Sequence, residues 1–144
     1  MRSLTPAERV AATQAVIDRF RDKPFSWAGA NCIALARMQA KGLGHPVPPV
    51  PQFRSALGAK RAMAKRGAAS VAELLDKHFQ RHLAPAFAQT GDLVVLAGDE
   101  DATGLQAVCI SDGRGNLFGW HEKRPEGLSV IKWADGDIAA AWRL

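Results

Sequence analysis

Apolar positions in the first half of the chain recur every three to four residues. After Ala84-Pro85 they alternate or run together over short stretches. The first spacing is that of helices and the second that of strands. Thr5 and Glu8 have capping-box spacing, with Pro6 at the first helical position. Val10, Val16, Ile17 and Phe20 then line one helical face, and Pro24 predicts an end near residues 21–23. Pro24-Phe25-Ser26-Trp27 is an extended connector with two large anchors. Asn31 caps a second helix that starts at Cys32 and runs to about Lys41, with Gly42 and Gly44 as its stop. Four prolines among residues 46–51 form a stiff arm strapped to the next helix. Ser55 to Arg66 is a basic helix closed by Gly67. Ser70 and Glu73 repeat the capping box before an amphipathic helix with Val71, Leu74, Leu75 and Phe79. His78 and His82 fall four apart on that helix and read as its polar face.

The strand-like half begins with Gly91-Asp92-Leu93-Val94-Val95-Leu96, a turn feeding a buried strand. A polar loop over Gly98–Gly104 precedes a strand from Leu105 to Ser111, ended by the turn Asp112-Gly113. Further strands are expected over Asn116–Glu122 and Gly127–Trp133, with a final edge strand over Ile138–Leu144. Short strands joined by turns predict an antiparallel meander. Helices first and strands after predict an α+β domain, with the Cys32 helix laid on one face of the sheet.

At 144 residues the chain is read as one domain, mainly helical over 1–84 and antiparallel strands over 91–144. Its composition is that of a globular protein, with no apolar run of membrane-spanning length. The N-terminus lacks the apolar core of a secretory signal, which predicts a protein kept in a cytoplasm or carried out in an assembly. Cys32 and Cys109 are too few for a disulfide framework, and no cysteine or histidine pair has zinc-site spacing. No cofactor and no metal is expected. The net charge is +5, concentrated in Arg54, Lys60, Arg61, Lys65 and Arg66. Without interleaved aromatics or a reader motif this stretch reads as a solvated helix face, not a specific nucleic-acid site.

Cys32 carries the candidate chemistry. A cysteine at a first helical position sits among free N–H groups at the positive end of the helix dipole, which favours its thiolate. That is one way to make a nucleophile. The competing reading is a small apolar residue packing the start of a buried helix.

Taken together, a helix-tip cysteine after an aromatic-glycine turn, a Gly91-Asp92-Leu93-Val94 strand and a meander resemble the NlpC-type papain-like cysteine peptidases, which cleave peptidoglycan stem peptides. Pro24-Phe25-Ser26-Trp27, Phe53-Arg54-Ser55, Ala107-Val108-Cys109, Gly127-Leu128 and Ala141-Trp142-Arg143 resemble a phage tail-associated branch of that family. The resemblance spans about Arg19 to Leu144. It implies a papain-like fold, Cys32 as nucleophile, and tail tip or hub proteins and peptidoglycan as partners. It also implies a virion location after synthesis in a host cytoplasm. Two departures qualify it. The family has Asp before the cysteine, where this chain has Asn31. The family's general-base histidine falls on Leu105 or Gln106, and neither can take a proton from a thiol. His121 lies near the place of the family's third polar residue. Two main functions follow: a structural tail protein on a degenerate peptidase fold, or an active peptidoglycan peptidase with Cys32 as nucleophile and His121 recruited as base. A third, weaker possibility is genome handling through the basic helix.

Overall fold

The computed structural model describes residues 4–49, 52–97, 106–121, 124–133 and 138–144. Four helices come first: α1 (Pro6–Phe20), α2 (Cys32–Gly42), α3 (Ala56–Lys65) and α4 (Val71–Asp76). Each opens on the polar cap that the sequence supplies, Thr5, Asn31, Ser55 or Ser70, whose side chain accepts a first-turn N–H. At α1 the capping box closes in both directions, at 3.1 Å each way. The strands are β1 (Gln80–Arg81), β2 (Leu93–Leu96), β3 (Ala107–Ser111), β4 (Asn116–His121), β5 (Arg124–Lys132) and β6 (Ile138–Arg143). They form one antiparallel sheet in the order β1-β6-β2-β3-β4-β5. The fold is α+β, with the cysteine-bearing helix on the sheet, as the change of period predicts.

Three expectations are corrected. The last strand is not at an edge: β6 lies between β1 and β2, and Trp142 on it is fully buried. The helix carrying Val71 stops at Asp76, so His78 and His82 do not share a helical face. β1 also places a strand inside the stretch read as helical. The cause of the last two is shared. Arg81 forms a two-bond ion pair with Asp76 at 3.0 and 2.7 Å and lies 5.0 Å over the Trp142 ring, whose N–H donates to the same carboxylate at 2.8 Å. These contacts fold residues 77–82 back against β6 in place of a further helical turn. Arg81 first, and Trp142 after it, hold the Asp76 carboxyl below the usual carboxylate range. The polar loop expected over Gly98–Gly104 falls outside the described residues.

The core lies between helices and sheet. Leu35, Ala36 and Ala40 of α2 meet Leu93, Val95, Val108 and Ile110 of β2 and β3, with Val16 and Phe20 of α1 behind them. On the other face of the sheet Val94, Cys109, Leu117 and Ala141 make a smaller cluster. Gln39, fully buried, ties the layers together by donating to Thr13 Oγ1 and to the carbonyl of Gly91, both at 3.0 Å. Gly91 has φ +89°, and a Cβ there would come within 2.8 Å of Thr13 Oγ1. Only glycine fits this turn into β2.

The next residue, Asp92, is 1% exposed. Its Oδ1 accepts from Arg9 at 2.6 Å and from the Leu144 N–H at 3.0 Å. Its Oδ2 accepts from the Gln89 N–H at 2.9 Å and lies 2.8 Å from His82 Nε2. Arg9 also donates to the carbonyls of Thr90 and Leu144 at 2.5 and 2.7 Å. One carboxylate thus joins α1, the entry to β2, the segment after β1 and the end of β6. Removing it takes the counter-charge from the Arg9 guanidinium and leaves two buried N–H groups without their acceptor. Asp92→Ala is expected to cost about 3–5 kcal/mol, read as a lower urea midpoint with an unchanged slope. A shift of under about 1 kcal/mol would show that the cluster is not what holds these elements together.

Candidate functional site

The turn before α2 is built by its own backbone. Ser26 and Ala30 pair at 2.8 and 3.0 Å, and the Gly29 N–H donates to the Ser26 carbonyl at 3.3 Å. Asn31 locks this turn to the helix. Its Oδ1 accepts from the Ala34 N–H at 3.0 Å. Its Nδ2 donates to the carbonyls of Ser26 and Trp27 at 3.3 and 3.1 Å. An aspartate could cap the helix but could not make the last two bonds. The residue that departs from the family pattern is therefore matched to this turn. Asn31→Asp is expected to lower stability by about 1–3 kcal/mol, since it sets a buried carboxylate against two carbonyl oxygens. A thermal midpoint equal to or above the wild type would refute this role.

The connector in front is anchored by aromatic rings. Phe25 stands edge-on to Trp27 and Trp120, with centroids 4.9 and 6.2 Å away, and Phe20 meets Trp120 at 5.8 Å. The Phe25 N–H donates to Pro125 at 2.6 Å and the Leu128 N–H to Arg21 at 2.9 Å, so the connector lies along β5. The proline arm is held as a strap. Arg37 Nε and an Arg66 amino group donate to the carbonyls of Pro48 and Pro49, at 3.1 and 2.6 Å.

Cys32 is the first residue of α2, half-buried, and packs toward the helix-side core. Its Sγ lies 3.8 Å from the carbonyl oxygen of Gln106. Burial pushes the thiol above its ordinary range, while hydrogen bonding from the Val108, Cys32 and Ile33 main chain pulls part of the way back. The expectation that the helix terminus alone would lower this pKa is thus overturned: the amides act in the expected direction, but desolvation acts more strongly. Cys109, on the far face of β3, is held at about 12 by burial and then by the neighbouring Cys32. Both cysteines are free.

Gln106 is one of the two positions where the base was expected. It is buried, and its side-chain oxygen accepts from the Ala72 N–H at 3.2 Å, joining the start of β3 to α4. Leu105, the other candidate, falls outside the described residues. His121 ends β4 opposite Arg124, just past a register shift. Trp120, its neighbour, packs partly buried against the helix-side core and donates its N–H to the Lys23 carbonyl at 3.0 Å. The structure therefore brings Cys32 to a main-chain carbonyl. His82, read from the sequence as part of a polar helix face, has a carboxylate partner, and that pair belongs to the Asp92 cluster. His45 packs edge-on to Phe79 at 5.4 Å, and its pKa is lowered by burial and then by Arg9. Among the described residues no group of three or more His, Cys, Asp or Glu could hold a metal, and no helix is long and apolar enough to cross a membrane.

This α+β fold, with a cysteine at the tip of a helix laid on an antiparallel sheet, matches the fold of NlpC/P60 proteins. Residues 7–144 match the profile of the family described as "Domain of unknown function (DUF6950)", and the chain belongs to that family. Among solved structures it is similar to NlpC2 from Trichomonas vaginalis, with 12% identity, TM-score 0.60, and 98% of this chain against 49% of that one. It is also similar to an NLP/P60 family lipoprotein-like protein from Staphylococcus aureus, with 18% identity, TM-score 0.58, and 99% against 43%. The peptidoglycan hydrolase RipB from Mycobacterium tuberculosis gives 18% identity, TM-score 0.53, and 97% against 68%. At these identities the likeness is one of fold. The chain spans about half the length, or less, of the first two. A search of curated protein sequences returns no match.

A raised thiol pKa predicts slow alkylation. Cys32 is expected to react with iodoacetamide more slowly than a free cysteine at pH 7 and to speed up steadily into the alkaline range, because only the thiolate attacks. Fast labelling of Cys32 at pH 6–7, followed by mass spectrometry, would identify an activated nucleophile instead.

Proposed function

We propose that this chain is a non-catalytic NlpC-like domain that works by binding, as a structural component of a phage tail tip in contact with peptidoglycan. The observation that carries the loss of catalysis is the hydrogen bond from Cys32 to the Gln106 carbonyl. A thiol–imidazole pair needs the ring within reach of the sulfur to take its proton and hold the thiolate. Gln106, one of the two candidate base positions, is an amide whose oxygen is engaged by α4. Losing a general base typically removes about 10²–10⁴-fold in rate, and raising the thiol pKa lowers the thiolate fraction further. RipB, which shares the fold, is a peptidoglycan hydrolase, and this supports cell-wall peptide as the ligand class. The tail-associated motifs around Trp27, Phe53 and Trp142 support tail tip or hub proteins as neighbours and the virion as the location. The alternative, an active peptidase with His121 as base, requires an imidazole beside Cys32. Trp120 holds the helix-side position at that end of β4.

Digestion of purified sacculi decides between the two. The wild-type protein is expected to release no more soluble peptide than Cys32→Ala, and Gln106→His is expected to raise release in a Cys32-dependent way. Wild-type digestion abolished by both Cys32→Ala and His121→Ala would establish the enzyme and overturn the binding reading.

A further inference from the structure

A groove of about 270 Å³ opens beside the Cys32 turn, between the end of α1, the turn, α2 and the proline arm. Three cations line it, Arg19, Lys23 and Arg37, and no acidic residue does. Arg19 and Lys23 both lie over the ring of Phe20, 5.9 and 5.5 Å from its centroid, and Phe20 is itself part of the groove wall. Arg37 is fixed by its Nε bond to Pro48 at 3.1 Å, which leaves its outer amino groups for a ligand. None of the three forms an ion pair among the described residues; the nearby Asp18 is taken by Arg21 at 2.8 Å. Gathering three like charges around one concavity raises the free energy of the empty protein, and an anion relieves it. The aromatic wall is equally fixed. Trp27 is half-buried, held by Phe25 at 4.9 Å and Phe53 at 6.4 Å. The mouth is clear at the turn, since a side chain at Gly29 would meet nothing within 4 Å.

We propose that this groove binds a short peptide carrying two or three carboxylates, its apolar part against Trp27 and its acidic groups on Arg19, Lys23 and Arg37. Guanidinium groups suit carboxylates because their paired N–H donors match two oxygens at once. The groove reaches Asn31, one residue before Cys32. The inference rests on the reading of the Cys32 side as a peptide-binding face and names the chemistry of its ligand. A single-stranded nucleic acid also combines negative charge with stacking. It is recognised along a track of cations and successive aromatic platforms, whereas these charges converge on one small concavity with a single indole. The cations Lys60 and Lys65 of the basic helix do not line it.

Calorimetric titration of the full chain with Ac-Ala-Glu-Glu, its neutral twin Ac-Ala-Gln-Gln and an oligothymidylate tests this. The acidic peptide is expected to bind at least about tenfold more tightly than the neutral one, and less tightly as salt rises. Lys23→Gln and Arg19→Gln are each expected to weaken it about two- to fivefold, the range for partly exposed charges. Arg19→Lys should weaken it less than Arg19→Gln, and Trp27→Ala should weaken both peptides. The Lys23 side chain is exposed and makes no described hydrogen bond, so its replacement keeps the test valid if Arg37→Gln loosens the arm. Equal binding of the two peptides, indifference to the Lys23 and Arg19 replacements, or preference for the oligonucleotide overturns the proposal. Sacculus binding unaffected by these replacements would sink the groove and leave the wall-binding reading standing. Acidic-peptide binding without sacculus binding would do the reverse.

Discussion

Asp92 is the constraint on which the rest of the structure depends. It is a buried charge, and a buried charge is tolerated only when its partners are complete. Here they come from four separate parts of the chain: Arg9 on α1, Gln89 before β2, His82 after β1 and Leu144 after β6. None of these groups is close in sequence to all the others, so the cluster forms only when helix α1, the β1 segment and the sheet have reached their places together. Gly91 and Gln39 extend the same junction to α2. The position of Cys32 is inherited from this junction, because α2 is aimed at β3 by being held between α1 and the turn into β2.

The tip of α2 shows how opposing electrostatic effects are weighed. The helix terminus and the amides of Cys32 and Ile33 favour the thiolate, and packing against the sheet opposes it. In a papain-like site an imidazole tips that balance by accepting the proton. Here the sulfur meets a carbonyl oxygen, which accepts a hydrogen bond from the thiol and repels the anion. Asn31 acts on the same helix tip. Its amide stitches the turn to the helix through two carbonyls, and so makes a rigid tip where a carboxylate would have added negative charge. The site that results is stable, capped and neutral, and the free positive charge lies beside it, in Arg19, Lys23 and Arg37.

Much of this molecule was set by local sequence. The helix starts at Thr5, Asn31, Ser55 and Ser70, the stops at glycine, the strap of prolines and the β2–β5 meander all follow from residues within a few positions of each other. Short-range hydrogen bonds and side-chain periodicity decide them. Cys32 at a helix tip was legible for the same reason. The tertiary structure decided what depends on distant partners. The last strand moved inward because Trp142 is buried beside Asp76 and Arg81, which the strand's own alternation does not encode. His78 and His82 parted because β1 pairs with β6, and His82 then found Asp92 ten residues on. The ionisation of Cys32 was set by burial, and its sulfur meets the carbonyl of Gln106, 74 residues away along the chain. The charged groove was hidden for the same reason: Arg19, Lys23 and Arg37 are unremarkable along the sequence and converge only when α1 and α2 pack side by side.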